Sequence, residues 1–391
     1  MLRYLRSVRT LLCGAALAAF GVTAHGQAPA AEQPPSADAS RFFDPEDGRF
    51  DVSAFLDEAY GFMPLLVPIT EPAVGYGAVG AAVFILGDPP EAGAPFMRPN
   101  IAAIGALRTE NDTRGWFGVH LGTWLDGRLR TTAALADVDV NLEFFGLGGN
   151  RVEGDGVGYS VKGSGGVAGG SYRLGDTQVW VGLRLISVDT SVALESPAQD
   201  LPNVSSLDYD LRLGGITPSI TFDRRDNFFT PVRGWYVDLS IPTYRDSFGS
   251  DRDFETINLT AMYYRPLGES LFLSMRGSAK DSSDDTPFFL RPYVALRGVQ
   301  ALKFQGEQAA ELEAELRWQL KPRFSVVGFA GAGTARISFA MGDRDESVTA
   351  GGAGFRYLIA RRYGLHMGFD VAGGADDTVF YLVFGNAWLR P

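Results

Sequence analysis

A strict two-residue period constrains this chain more than any other feature. From Glu311 to Leu320 it reads Glu-Leu-Glu-Ala-Glu-Leu-Arg-Trp-Gln-Leu, polar at every odd position and apolar at every even one. Glu, Ala and Leu are good helix formers. At 100° per residue, however, the charges would be strewn around the whole cylinder, whereas at 180° they share one face. The period outweighs the propensity and predicts a strand. The alternation recurs in Val179, Val181, Leu183 and Leu185 against Trp180, Gly182 and Arg184. It returns in Phe117, Val119 and Leu121 against Gly118, His120 and Gly122, and in Ile257, Leu259, Ala261 and Tyr263 against Thr256, Asn258 and Thr260.

Strands of this kind suit a sandwich wet on one side or a transmembrane barrel with a wet lumen. Length separates the two. The alternating stretches run about 10 to 13 residues, against ~5–6 in soluble sheets, and that is enough to cross a bilayer at a tilt. No run of 18 apolar residues exists, so a helical crossing is excluded. Sixteen strands are predicted. The first eight cover 74–86, 99–109, 114–124, 129–140, 156–173, 176–187, 209–222 and 232–244. The rest cover 254–266, 270–280, 288–296, 308–320, 323–336, 346–360, 363–373 and 378–388. An even number is what a closed antiparallel barrel requires, so the expected class is all-β, an antiparallel transmembrane β-barrel.

Composition agrees. The 391 residues include 48 Gly, well above the typical ~7%, and lumen-facing or tightly curved barrel positions favour glycine. Mean hydropathy is near zero because half of each strand meets lipid and half meets water. Trp116, Trp124, Trp235, Tyr263, Tyr264 and Trp388 fall near predicted strand ends, as interfacial girdles do.

Arg3, Arg6 and Arg9 precede the apolar run from Leu11 to Val22, and Ala24-His25-Gly26 supplies small residues for cleavage, so residues 1–26 read as a signal peptide. Leu12 stands where a small residue should precede a lipidated cysteine, so Cys13 does not read as a lipoprotein anchor. Cys13 is the one cysteine, and processing would remove it, leaving no thiol chemistry. Losing three arginines takes the formal charge from -11 to -14, a poor balance for binding nucleic acid. Residues 27–49 read as an Ala/Pro-rich linker, 50–73 as a short helix and periplasmic lead-in, and 74–391 as the barrel. The helix, over 50–60 with Asp51 or Ser53 as cap, would either cover a pore mouth or rest on the domain it precedes.

Catalytic chemistry has little to stand on. Processing leaves His120 and His366, neither with metal ligands at ligand spacing, so no metal and no cofactor is expected. Neither histidine has a serine two residues later, and Gly158-Tyr159-Ser160-Val161-Lys162 breaks a nucleophile elbow at its last position. The chain does not read as an enzyme; an outer-membrane lipid-modifying enzyme is the disfavoured alternative. Acidic clusters at 281–285, 343–346 and 376–377 are either solvated loop tips or collectors of divalent cations.

Three blocks resemble the bacterial surface antigen superfamily, the barrel of BamA- and TamA-type outer-membrane proteins. Asp223-Arg224-Arg225-Asp226, with Pro231 and Gly234, is similar to that family's strand-junction motif. Leu296-Arg297-Gly298-Val299 resembles the arginine-glycine tip of its long loop, which folds back into the lumen. Gly352-Ala353-Gly354-Phe355-Arg356 and the stretch 380–388 resemble its closing strands. The resemblance implies a lock in which Arg297 pairs with Glu315, which shares the inner face with Glu311, Glu313 and Arg317. The family's second acid is missing, since the sequence reads Phe329-Ala330-Gly331-Ala332-Gly333, and Val299 replaces the aromatic beside the tip. The lock is therefore expected in reduced form. The 47 residues from 27 to 73 leave no room for a POTRA module, so a POTRA-less member is expected. The resemblance places the chain in the bacterial outer membrane, among lipid and lipopolysaccharide, with an outer-membrane or periplasmic protein as partner. Its implied work is assisting insertion, translocation or scaffolding of protein or lipid. The alternative is a passive or plugged pore for small solutes.

Overall fold

The computed structural model describes residues 41–58, 61–86, 100–144, 157–194, 209–339, 342–374 and 378–388. A short helix, α1 (Ser53–Glu58), precedes seventeen strand segments of one antiparallel sheet. The first nine are β1 (Gly61–Ile69), β2 (Gly77–Leu86), β3 (Asn100–Thr109), β4 (Arg114–Trp124), β5 (Leu129–Phe144), β6 (Val157–Arg173), β7 (Val179–Leu194), β8 (Tyr209–Asp223) and β9 (Gly234–Ser240). They are followed by β10 (Thr243–Tyr244), β11 (Phe254–Pro266), β12 (Leu271–Ser282), β13 (Gln308–Lys321), β14 (Phe324–Phe339), β15 (Gly342–Ala360), β16 (Leu365–Gly373) and β17 (Thr378–Phe384). Successive strands pair in chain order. The order continues through β17.

Segments β9 and β10 both lie between β8 and β11, so they are one strand broken at Ile241-Pro242. Proline cannot donate to the ladder, and counting the pair once gives the expected sixteen strands. Two assignments exchange places within that count. The stretch 61–69, expected as lead-in, is strand β1, with Gly61 opposite Ile85 and Ile69 opposite Gly77. Its Gly-Phe-Met-Pro-Leu-Leu-Val-Pro-Ile has no alternation, and Pro64 and Pro68 demote a strand reading. The stretch 288–296, expected as a strand, is instead a 3-10 turn (Phe288–Leu290) opening a long loop between β12 and β13. Pro292 breaks the ladder there, and a lone bridge joins Tyr293 to Gln305.

Burial runs opposite to that of a water-soluble protein. On β13, Glu311, Glu313 and Arg317 are 5%, 2% and 7% exposed, whereas Leu312, Leu316 and Trp318 are 53%, 43% and 53% exposed. Charges inside and leucine outside is the pattern of a barrel wall in lipid. Val181, Leu183 and Leu185 of β7 and Ile257 and Leu259 of β11 continue the outer apolar surface. Trp116, Trp124, Trp235 and Trp318 stand on it, with Trp235 4.3 Å from Tyr263 between ring centroids. Tyr264 and Trp388, expected in the girdle, are buried instead, and Asn386 donates to the Tyr264 hydroxyl. Adjacent residues of a strand face opposite ways, so with Tyr263 outside, Tyr264 must lie inside.

The end of the barrel that carries the N-terminal segment is tied by one arginine. Residues 41–49, part of the stretch whose composition reads as linker, form a loop with Phe43 bridged to Phe50. Arg323, in the tight turn between β13 and β14, is 1% exposed. It donates to Asp44 and Asp47 at 2.5 Å, to Asp51 at 2.7 Å and to the Phe50 carbonyl at 3.2 Å. Arg361, between β15 and β16, adds pairs to Glu46 and Asp47. Asp51 also accepts from the Ser53 amide at 2.6 Å, capping α1 as its sequence expects. Burial pulls the Arg323 pKa down, but hydrogen bonds to Asp47 and Asp51 hold it above the ordinary value. The Arg323 hydrogen bond holds Asp47 below the usual carboxylate range. For Asp51, burial pushes up and is outweighed by bonds from Ser53, the Arg361 amide and Arg323.

These depressed carboxylates contribute stability that is present above their unfolded pKa of about 4 and lost as pH falls through the lower folded values. The segment is therefore expected to stay docked from neutral pH down to about 4 and to detach only below that. Arg323→Met removes the cation shared by Asp44, Asp47 and Asp51, leaving Arg361 as the remaining partner of Asp44 and Asp47, and is expected to open tryptic cleavage at Arg49 at neutral pH. N-terminal sequencing of the fragments checks both outcomes.

Candidate functional site

The loop between β12 and β13 turns inward, and its tip is a buried ion cluster. Arg297, 1% exposed, donates from Nε to Glu313 at 2.5 Å and from Nη1 to Glu315 and Asp370, each at 2.7 Å. Arg356 of β15 approaches from the other side, donating to Asp370 at 2.5 and 3.0 Å and lying 3.6 Å from Glu315. Two guanidiniums thus share three carboxylates. Asp370 is fully buried and bridges both arginines. The Arg297 guanidinium also lies 3.6 Å over the Phe329 ring. Arg297 Nη2 and Glu313 Oε2 have no hydrogen-bond partner among the described residues.

The strands place these groups by parity. Glu311, Glu313, Glu315 and Arg317 share the inner face of β13, so one strand delivers two acids to Arg297 and another to its neighbour. Glu311 binds Arg276 at 2.6 Å, and Arg276 in turn donates to the Ala295 carbonyl of the loop at 3.1 Å. Arg317, nearer the β13–β14 turn, lies 2.9 Å from His366 and 4.6 Å over the Phe272 ring. Gly298 has φ 89°, and its amide donates to the Tyr381 hydroxyl of β17 at 3.0 Å. A Cβ on Gly298 would stand 2.9 Å from the Gly373 backbone, so the tip admits glycine alone. Beyond it, Gln300 reaches Glu143 of β5 at 3.1 Å and the Ala301 amide reaches Glu71 at 3.4 Å. The loop therefore spans the lumen.

The structure brings Arg297 and Glu315 together, and it corrects the expectation of a reduced lock. The acid absent at Gly331 is supplied from β16 by Asp370. Space explains the exchange. A Cβ on Gly331 would stand 2.8 Å from Leu296 Cδ2, and one on Gly333 would stand 2.4 Å from Val294 Cγ1. The loop's apolar side fills that room, with Val294, Leu296, Val299 and Phe304 forming a core with Ala335, Val348 and Ala350. Val299 belongs to this core. Sequence reasoning missed Asp370, Arg356 as a partner, and Tyr381. A signal for Asp370 exists: Met367, Phe369 and Val371 alternate with His366, Gly368 and Asp370, so a carboxylate sits on the inner face of a membrane strand.

The junction residues form a separate, turn-building group. Asp223 binds Arg225 through both oxygens at 2.8 and 2.9 Å, and Arg225 lies 4.5 Å over the Tyr236 ring. Asp226 accepts from the Val232 and Arg233 amides at 3.0 and 3.2 Å, closing the loop around buried Pro231. Gly234 has φ 117°, where a Cβ would be 2.0 Å from the Arg224 carbonyl. Asn227 donates to the Tyr363 carbonyl at 3.0 Å, so the junction clips onto the β15–β16 turn. Nothing in this geometry performs chemistry; it fixes backbone. Among the described residues no group of three or more His, Cys, Asp or Glu side chains is placed to hold a metal ion.

Breaking a dry ion pair costs ~3–5 kcal/mol, against ~0–1 for a wet one. Asp370→Asn is expected to destabilise the barrel by about 3 kcal/mol, and Glu315→Ala by less, because Glu313 and Asp370 still face Arg297. Gly331→Asp is expected to destabilise by ~1–3 kcal/mol through overpacking against Leu296. The temperature at which the folded gel band converts to the unfolded one ranks all three.

No protein-family model matches the sequence, and no curated protein does. Solved structures do match by fold. BamA from Haemophilus ducreyi lacking POTRA domains 1-3 aligns with a TM-score of 0.55 and 10% identity, over 90% of this chain and 82% of that one. CdiB from Escherichia coli gives 0.55 and 13% over 82% of this chain, and CdiB from Acinetobacter baumannii 0.54 and 10% over 83%. The chain spans 62% and 59% of the two CdiB chains. At these identities the likeness is one of fold, and the chain has the antiparallel transmembrane β-barrel fold of these BamA and CdiB structures.

Proposed function

We propose that this chain is a non-enzymatic outer-membrane barrel that assists insertion, translocation or scaffolding of protein or lipid, with the Arg297 loop as its lumenal lock. The observation that carries the reading is the dry cluster of Arg297, Glu313, Glu315 and Asp370, which pins a lumen-spanning loop at its tip. A solvent channel has no need of a loop held by three buried carboxylates; a barrel that must stay shut until a client arrives does. The apolar outer face supports residence in the outer membrane, surrounded by lipid and lipopolysaccharide. The end bearing Arg323 and the N-terminal segment would then face the periplasm, where a protein partner would dock. The working seam of this reading lies between β1 and β17. Pro64 and Pro68 support it, because they deprive β1 of two ladder donors.

A second reading, a plugged pore for small solutes, is favoured by a polar cavity of about 350 Å³ beside the inner face of β5–β9. Planar bilayers separate the two. The locked barrel is expected to be mostly closed with rare large openings. Asp370→Asn is expected to raise the open fraction about a hundredfold, as the loss of ~3 kcal/mol from the docked state requires. Steady ohmic conductance unchanged by Asp370→Asn supports the pore and removes the lock. Photocrosslinkers in 61–69 and 378–384 identify the client, and labelling of bulk lipid alone argues against a working seam.

A further inference from the structure

The lumen is polar on one side only. Register carries the lipid face of Leu183 and Leu185 across the sheet row by row. Leu185 is opposite Ala168, Ala168 opposite Ala133, Ala133 opposite His120, His120 opposite Ala102, and Ala102 opposite Phe84. Even-numbered residues of β2–β4 therefore meet lipid, in keeping with the exposed Phe84, Ile104, Trp116 and Trp124, and odd-numbered ones face inward. Those inward residues include Val79, Val83, Ile101, Leu107, Phe117 and Leu121. Among the described residues, no ionisable side chain faces the lumen from β1, β2, β3 or β4. A membrane barrel alternates apolar-out with polar-in, so a wall apolar on both faces calls for an apolar occupant.

Among the described residues the inward loop does not supply that occupant. The six residues are each partly exposed rather than buried, and the apolar clusters that the loop builds lie against other strands. The strip they form is bounded at both ends. Away from Arg323, the 3-10 turn Pro72–Val74 packs against β5, and the loop reaches Glu71 and Glu143. Toward Arg323, Leu121 stands opposite Thr132, and Thr132 lines the polar cavity of about 350 Å³ together with Ser171, Thr221 and Asp238. Between those ends the strip runs about 20 Å along β2, from Val79 to Ile85. That is enough for a chain that fills one leaflet, half of the ~30 Å hydrocarbon core. The lateral edge is β1, apolar on both sides: Leu65, opposite Ala81, faces inward at 39% exposure, and Leu66 faces lipid at 75%. An acyl chain crossing that edge leaves the bilayer without meeting a charge. An extended protein segment fits the strip poorly, because its backbone polar groups would find no hydrogen-bonding side chain there.

We propose that the inner face of β2–β4 holds one acyl chain of a membrane phospholipid, its head toward the polar cavity. The inference rests on the proposed function and deepens it, naming lipid rather than protein as the client. Conductance reads the Arg297 lock and photolabelling reads the strip, so either can fail without the other. The full chain is placed in phosphatidylcholine vesicles doped with a phosphatidylcholine whose acyl chain ends in a diazirine, and adducts are mapped by peptide mass spectrometry. Bulk lipid labels the even-numbered residues of β2–β4; a lumenal chain is expected to label the odd-numbered ones as well. Val83→Asn and Val119→Asn place an amide that the acyl chain must desolvate. Each is expected to cut odd-position labelling about tenfold and to leave even-position labelling unchanged. Ala82→Asn, on the lipid face, is expected to leave odd-position labelling unchanged. The heat-dependent gel shift confirms that each variant is folded. Three results overturn the proposal: labelling confined to even positions, odd-position labelling undiminished in both lumenal variants, or odd-position labelling by a diazirine fatty acid but not by the phospholipid.

Discussion

A guanidinium taken out of water sets the terms for the interior of this barrel. Removing a charge from water costs several kcal/mol per ion unless the surroundings return it through close, well-aligned partners. Arg297 has them because Glu313 and Glu315 share a strand face and Asp370 faces them from β16. Three carboxylates clustered without cations would repel one another, so Arg356 is as necessary as Arg297. Once the tip is held, the loop's apolar side must be packed, and the glycines at 331 and 333 make the room. Loop, acids and glycines are therefore one solution to one electrostatic problem.

The same device closes one end of the barrel. Arg323, buried in a tight turn, gathers Asp44, Asp47 and Asp51 from a segment more than 270 residues away in sequence. Both arginine clusters hold chain against the wall formed by β13–β16. The wall of β5–β9 is left with small residues and a cavity. One wall restrains chain, and the other leaves accessible space.

Legibility in the sequence followed the range of the interaction. The alternation in 311–320 marked β13 and its inner face, because parity is a property of neighbouring residues. Where parity was ignored the reading failed, as with Tyr263 and Tyr264 placed on the same girdle. Strand β1 escaped because Pro64 and Pro68 erase the local signature, and only pairing with β2 makes an extended chain of that stretch. The reverse happened at 288–296, whose apolar residues suggested a strand but serve a lumenal core. Glu315 was legible as an acid partner of Arg297, but the second acid, absent at Gly331, comes from Asp370, 39 positions further on and on another strand.

The sequence by itself determined that this chain crosses a membrane with strands, how many, and which face of β7, β11 and β13 meets lipid, since these depend on the two-residue period and on strand length; on β4 the faces are reversed, with His120 beside Trp116 and Trp124 on the outside and Phe117, Val119 and Leu121 inside. It also marked Arg297 and Glu315 as belonging to one site through their resemblance to a known pattern. Only the tertiary structure decided that the lock has three carboxylates rather than one, and that Arg323 fastens the N-terminal segment. These facts join residues distant in sequence, and the pairing of strands into one sheet, rather than any local preference, brings them together.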